Sequence, residues 1–295
     1  MVCEPDDRRG ISRRNELRKM GERLVKFFGT YEVREINGGL QKAYTKQRGS
    51  KAMARRELVM MAAAINFYTE DAGGLNLFFK AIIPEESYKS RTRYLTRKEA
   101  AALIRAAWRK RQTDRGGFEG RFTGKHTARA ILVALYTGSR CGAICNAALM
   151  PTIGRGYVDL ERGTFVRKAL DARSTNKNKN TEKPIDLPPR LLAHMRRWQR
   201  LNISRHSVIE WMGKPVKNTY RGFVAARIDA GLDNKVVQHT LRHTAVSWYL
   251  QAGESPAVVA DYVGMTEQIL RDTYKHIMPG AFKTIHTASQ RFGRA

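Results

Sequence analysis

The sequence predicts a mainly α protein with a small antiparallel β-sheet, divided into a helical N-terminal domain and a larger domain that carries the sheet. Three observations predict it. Apolar residues recur at helical spacing through most of the chain, as in ELRKMGERLVKFFG with Leu17, Met20, Leu24, Val25 and Phe28. One stretch alone carries a β signal: YVDLERGTFVRKAL reads as a hairpin turning near Arg162 and Gly163, with a third strand near KPIDLP. Between the two parts, IIPEESYKSRTRYL has the proline and polar run of a linker. At 295 residues the chain has room for two domains of about 100–200 residues.

The elements follow in order. Residues 1–11 are charged, lack periodicity and are expected to form a flexible N-terminus. Residues 12–85 should form a helical bundle. Its first helix is the one just named, its second lies in LQKAYTKQRG and stops at Gly49, and its third in SKAMARRELVMMAAAINFYTEDAGG stops at Gly73 and Gly74. Residues 86–93 are the linker, and the second domain is expected over 94–278. It opens with TRKEAAALIRAAW, where Thr96 and Glu99 have the spacing of a capping box. A basic, glycine-rich loop should fill 109–126. HTARAILVALYTG then reads as a buried helix stopped at Gly138, and GAICNAAL as another helix after Arg140. The strands come next, with the polar turn STNKNKNTEK before the third. LPPRLLAHMRRWQRL is an amphipathic helix with Pro188 and Pro189 at its start. The remainder reads as helical to Ile277, where Met278-Pro279-Gly280 breaks it, and within the tail 279–295 the stretch AFKTIHTASQ could make one more short helix. There is no internal repeat.

The charge balance narrows the partners. With 54 Lys and Arg against 27 Asp and Glu, the formal charge is +27, an excess that repels itself unless a polyanion offsets it. Nucleic acid is the leading partner, because cationic side chains gain affinity by releasing counterions from phosphates. A ribosomal or merely basic soluble protein is the plainer alternative. The excess sits mostly in the second part: residues 91–295 carry 37 Lys and Arg against 15 Asp and Glu, whereas residues 1–90 carry 17 against 12. Cys3, Cys141 and Cys145 match neither a disulfide framework nor a zinc spacing, which fits a reducing interior. Cys141 and Cys145, four apart on a helix, are expected as small buried apolar residues. No apolar run reaches the ~18–20 residues of a membrane span, and no signal-peptide pattern is visible, so no membrane role is expected.

Several residues carry candidate chemistry. Arg140 follows a helix stop, where a turn can aim its guanidinium into a cleft; a surface arginine is the commoner reading of such a string. His239 and Arg242, three apart, share one helix face. With Arg140 they could surround a phosphate and oppose the charge that builds on its oxygens; His239 could equally be a capping or core histidine. His243, one step round, is expected to pack between elements. Tyr274 is either a packed aromatic or a nucleophile, and a phenol of ordinary pKa ~10 attacks only with help from cationic neighbours. Lys177, Lys179 and Lys183 crowd the turn before the third strand, where a lysine can protonate a leaving oxygen or simply contact DNA backbone. Lys89, Arg91 and Arg93 in the linker are further candidates for DNA contact. His239 and His243 are four apart, but the glutamate of a His-Glu-x-x-His site and a third ligand are lacking. No metal and no cofactor are expected.

HTLRHT, then Val263-Gly264-Met265, then Tyr274-Lys275-His276, preceded upstream by TGSR, form a combination by which the chain resembles the tyrosine recombinases, the phage-integrase family, over most of its length. YTKQRGSKAMARRELVMMAAAINFY likewise resembles the helical core-binding domain that precedes the catalytic domain in integrases. The resemblance implies a helical core-binding domain followed by a tyrosine-recombinase catalytic domain, closing on double-stranded DNA as a C-shaped clamp. It implies that Arg140 and Arg242 bind the scissile phosphate, that His239 assists proton transfer or phosphate binding, and that Tyr274 forms a 3′-phosphotyrosine link that conserves bond energy without ATP. A lysine of the turn would protonate the leaving 5′-hydroxyl, Lys179 by the match to the family's hairpin, with Lys177 as the alternative. It further implies a site-specific recombinase that integrates or excises a phage or mobile element in the bacterial cytoplasm, at the nucleoid. Four protomers (a homotetramer) would act on two DNA sites, the tail beyond Met278 would dock on a neighbour, and accessory DNA-bending or excision factors would be further partners. Two residues depart from the pattern. Met265 stands at a sixth site position usually held by histidine or tryptophan, and Ala143 stands where an acidic residue is usual. A thioether donates no strong hydrogen bond, so a recombinase-like DNA-binding protein with weakened or lost catalysis is the alternative expectation.

Overall fold

The computed structural model describes residues 8–71, 79–82, 93–112, 120–169 and 183–275. The chain divides into two compact units, Met1–Lys89 and Ser90–Ala295, a boundary inside the expected linker; residues 86–92 of that linker lie outside the described residues.

The first unit contains α1 (Arg8–Phe28), a single 3-10 turn (Val33–Glu35), α2 (Gly38–Arg48) and α3 (Lys51–Asp71). Helix α1 starts within the stretch expected to be a flexible N-terminus; once a long helix is nucleated, each further residue needs only one more hydrogen bond. Asn37 caps α2, its Oδ1 accepting the N–H groups of Gly39 and Leu40, and Gly49 ends it in the left-handed region at φ 70°. The apolar faces meet through Leu24, Phe28, Tyr44, Ala54, Leu58 and Met61. Val25, expected on that face, is 69% exposed. Gly73 and Gly74, expected to close α3, lie outside the described residues. One carboxylate is buried in this core. Glu57 is fully enclosed and accepts hydrogen bonds from Tyr44 Oη at 2.7 Å, Arg23 Nε at 2.8 Å and Arg48 Nε at 2.9 Å. Burial alone would raise its pKa, but the donors Tyr44, Arg48 and Arg23 outweigh it and hold the carboxyl below its ordinary range.

The second unit opens with α4 (Arg97–Arg109). Thr96 and Glu99 form the expected reciprocal box, Thr96 Oγ1 accepting from Glu99 N and Glu99 from Thr96 N. The loop expected over 109–126 is shorter: Arg111 bridges to Phe122 and α5 (Lys125–Thr137) already begins at Lys125. Then come α6 (Cys141–Asn146), strands β1 (Tyr157–Asp159), β2 (Thr164–Val166) and β3 (Ile185–Asp186), and α7 (Pro189–Arg200). The sheet is antiparallel in the order β1-β2-β3, with Val158 opposite Phe165 and Phe165 opposite Ile185. These three side chains lie on one buried face, as period-two alternation requires. The core joins them to Leu103, Ile131, Ile144, Leu191, Phe223 and Leu241.

Beyond α7 the chain is not helical throughout, contrary to expectation. Glu210–Trp211 (β4) pairs with Lys214–Pro215 (β5) about a two-residue turn of Met212 (φ 52°) and Gly213 (φ 73°), the left-handed pair that a tight hairpin needs. The buried Glu210 carboxylate accepts the N–H groups of Arg205, His206 and Ser207, which curls the approach. Helices α8 (Tyr220–Asp229), α9 (Gln238–Gln251), α10 (Pro256–Val263) and α11 (Glu267–Tyr274) complete the unit. The expected helix break at 278–280 and the tail 279–295 lie outside the described residues.

Candidate active site

Two helix ends create the site. Helix α5 stops at Gly138 (φ 61°) and α10 at Gly264 (φ 71°). In this left-handed geometry the last carbonyls of each helix stay unclaimed by the helix itself. They converge on Arg242 of α9. Its Nη1 donates to Gly138 O at 2.9 Å and Val263 O at 2.6 Å, and its Nη2 to Gly264 O at 3.2 Å. Carbonyl ends of helices carry partial negative charge, so they hold the guanidinium in place without cancelling its unit charge. Gly138 is required twice over: by its φ, and because a Cβ there would lie 2.7 Å from Val263 Cγ1. The chain leaving that turn brings Arg140 to the start of α6, exposed to solvent.

Arg242 is only 4% exposed, and its pKa is pushed down to about 10, first by burial and then by the charges of Arg140 and Arg167; the Tyr274 phenol opposes the shift. Arg167 was not singled out from the sequence. It follows β2, is 9% exposed, and donates from Nη1 to Tyr262 O at 2.9 Å. Its pKa is also pushed down to about 10, by burial before the charge of Arg140. Three guanidiniums, Arg140, Arg167 and Arg242, therefore share one region. The signal that could have found Arg167 is its register: two residues after the buried Phe165, it falls on the inward face of a strand, where a cation is out of place.

Tyr274 is the last residue of α11 and is 3% exposed. Its ring packs in a small core with Val246, Leu250, Val259, Ala260, Val263 and Leu270, as the packed-aromatic reading expects. Its hydroxyl nevertheless lies 2.6 Å from His243 Nδ1. Burial raises the phenol pKa well above its ordinary value, and the nearby Arg242 charge offsets only part of this. His243 was expected to pack between elements; it is instead the direct partner of the tyrosine. Its ring also meets that of His239, edge-on with centroids 4.9 Å apart. His239 itself is exposed in the first turn of α9. Met265 is half-buried against the same small core, with its backbone N–H donating to Ala260 O.

The lysines are placed only in part. Lys177 and Lys179 lie outside the described residues. The two roots of their segment both meet α10: Arg167 at the Tyr262 carbonyl, and Lys183 Nζ at the Asp261 carboxylate, 3.3 Å away. Lys183 is thus paired within the unit. Arg93 is held by Glu99 and Asp233 rather than standing free toward DNA; Lys89 and Arg91 lie outside the described residues. Burial pushes the Cys141 thiol up to about 12 and raises that of Cys145, which makes both poor nucleophiles. Among the described residues no three His, Cys, Asp or Glu side chains group as a metal site would need.

No protein-family model matches the chain, and no curated protein matches it. Its fold does match solved structures. The Tn1549 transposon integrase, in complex with transposon right end DNA, aligns over 94% of this chain and 94% of its own at 14% identity and a TM-score of 0.64. A lambda integrase dimer bound to a COC′ core site aligns over 92% of this chain and 90% of its own at 15% identity and a TM-score of 0.62. The chain thus has the fold of these integrases along nearly its whole length.

Proposed function

We propose that the chain is a tyrosine recombinase, which cuts and rejoins double-stranded DNA at specific sites through a 3′-phosphotyrosine intermediate and so integrates or excises a mobile element. One observation carries the reading: the Tyr274 hydroxyl, 2.6 Å from His243 Nδ1, lies in the field of Arg242, whose guanidinium is fixed between two helix ends. The integrase fold and the charge of +27 support it.

The chemistry follows from these groups. Arg140 and Arg242 take the non-bridging oxygens of one phosphodiester and stabilise the charge that grows there. His243, with its proton on Nε2, accepts the phenol proton at Nδ1 as Tyr274 Oη attacks phosphorus. The bond from phosphorus to the 5′-oxygen breaks, and Lys179, or Lys177 in its place, donates a proton to that oxygen. His239, edge-on to His243, supports the same proton path. Attack by a 5′-hydroxyl on the phosphotyrosine reverses the sequence and rejoins the strands with no outside energy. Action inside the cell, on two DNA sites held by four protomers with DNA-bending helpers, belongs to the same reading.

A second reading has its own observations. The Met265 side chain offers no strong donor, and Tyr274 is buried with a raised pKa; a DNA-binding protein with a spent site would look the same. Nicked duplexes bearing a pool of core sequences, which trap a cleaved strand, separate the two. The enzyme forms a denaturation-resistant protein–DNA adduct that disappears in Tyr274→Phe. DNA binding with no adduct on any duplex favours the second reading.

A further inference from the structure

Arg167 is the one arginine of the cluster that no step above uses. Its Nη1 is anchored on Tyr262 O, and Arg242 is anchored on the next carbonyl, Val263 O. Consecutive carbonyls at one helix end therefore hold two neighbouring guanidiniums. Arg167 Nε and Nη2 are buried and have no hydrogen-bond partner. Leaving charged donors unsatisfied in a core is costly, and a third cation beside Arg140 and Arg242 adds repulsion. A carboxylate could neutralise Arg167, as Glu57 does Arg48. The Asp261 carboxylate in its field is instead bonded to Lys183. Ser139 Oγ, next to Arg140, is a further buried polar atom without a partner.

These features fit an anion that the free chain does not supply. Resting on the phosphate-site reading above, we propose that Arg167 is a third phosphate-binding arginine, whose Nε and Nη2 grip the phosphodiester held by Arg140 and Arg242. Both donors are closed off from solvent in the free chain, so the fork turns about its Nη1 anchor when the phosphate arrives. A guanidinium can do this because one edge stays bonded to Tyr262 O while another is presented. The buried Arg167 and Arg242 and the exposed Arg140 together carry three positive charges, and the single negative charge of an entering phosphodiester relieves their mutual repulsion.

The test compares the full chain with Arg167→Gln and Arg167→Lys on a nicked duplex that the wild type cleaves, reading adduct rate, DNA affinity across a salt series, and thermal midpoint. Arg167→Gln should slow adduct formation about 100-fold or more and reduce the salt slope of binding by about one, without a lower melting midpoint in the absence of DNA. Arg167→Lys should keep the slope and regain only part of the rate, since an ammonium lacks the fork. A folded Arg167→Gln protein with the wild-type rate and slope overturns the proposal. If Arg167→Gln does not fold, Arg167→Lys decides: a wild-type rate there also overturns it. If the wild type forms no adduct, the enzymatic reading fails by itself, and the slope of Arg167→Gln still decides whether Arg167 meets a phosphate.

Discussion

Gly138 and His243 show how much of the site rests on single side chains, or on the lack of one. Adding a methyl group to Gly138 forces an unfavourable left-handed φ and a clash with Val263. The strain costs about 1–2 kcal/mol and the overpacking a similar amount, so Gly138→Ala should lose about 2–4 kcal/mol in urea unfolding. It should also weaken DNA cleavage, because Gly138 O is one of the carbonyls that fix Arg242. An unchanged unfolding midpoint would contradict the close approach of α5 and α10. His243→Ala tests a different link. Removing the phenol's hydrogen-bond partner should slow adduct formation by about 100-fold and leave affinity for intact duplex within about twofold, since His243 is bonded to the tyrosine hydroxyl and the phosphate falls to the arginines. A wild-type rate would place the base elsewhere.

At the scale of the element, the helices were legible because their apolar periodicity survives in the structure, and the Thr96–Glu99 box formed as its spacing predicts. The hairpin of Val158 and Phe165 was legible for the same reason, with a period of two. The β4–β5 hairpin was not. Strands of two residues carry no alternation, and its turn places a methionine, Met212, where glycine or asparagine would have signalled. Arg140, His239, Arg242 and Tyr274 could be picked out as candidates; Arg167 could not, and the sequence offers His243 only as a packing residue or a metal ligand, not as the tyrosine's partner. Their partners lie 95 and 31 residues away, and only the meeting of β2 with the end of α10, or of α9 with α11, gives them a role. The first unit has its own hidden element, the Glu57 network that ties α1, α2 and α3 together. Its folded pKa lies below the ordinary 4.5. Its contribution is therefore complete above that value and is lost as pH falls through the folded pKa. Hydrogen exchange in the full chain should show α1–α3 losing protection on acidification below pH 4.5. Glu57→Gln should lower protection of the same helices at neutral pH by about 2–3 kcal/mol and flatten their response to acid. Equal protection in the variant would make the network incidental.

The whole molecule is a polycation whose excess is concentrated in residues 91–295, and no helix among the described residues is long and apolar enough to cross a membrane. Binding to duplex DNA should therefore weaken steeply with salt. A chain that neutralises about 6–10 phosphates loses roughly 10³–10⁵ in affinity between ~50 and ~200 mM salt. A fall of less than about tenfold would mean that the charge serves some other purpose. The fold it shares with integrases seen bound to DNA bears on architecture alone; the reaction has to be read from the site.

The most direct measurement is the chemical identity of the covalent link. The full chain is incubated with a cleavable nicked duplex, the product is digested with protease and nuclease, and the peptide that retains a nucleotide is sequenced by mass spectrometry. The predicted result is a 3′-nucleotide joined through phosphate to the phenol oxygen of Tyr274, with the strand on the other side of the break ending in a free 5′-hydroxyl. A link to any other side chain, or a break that leaves a 5′-phosphate and no attached peptide, would contradict the account.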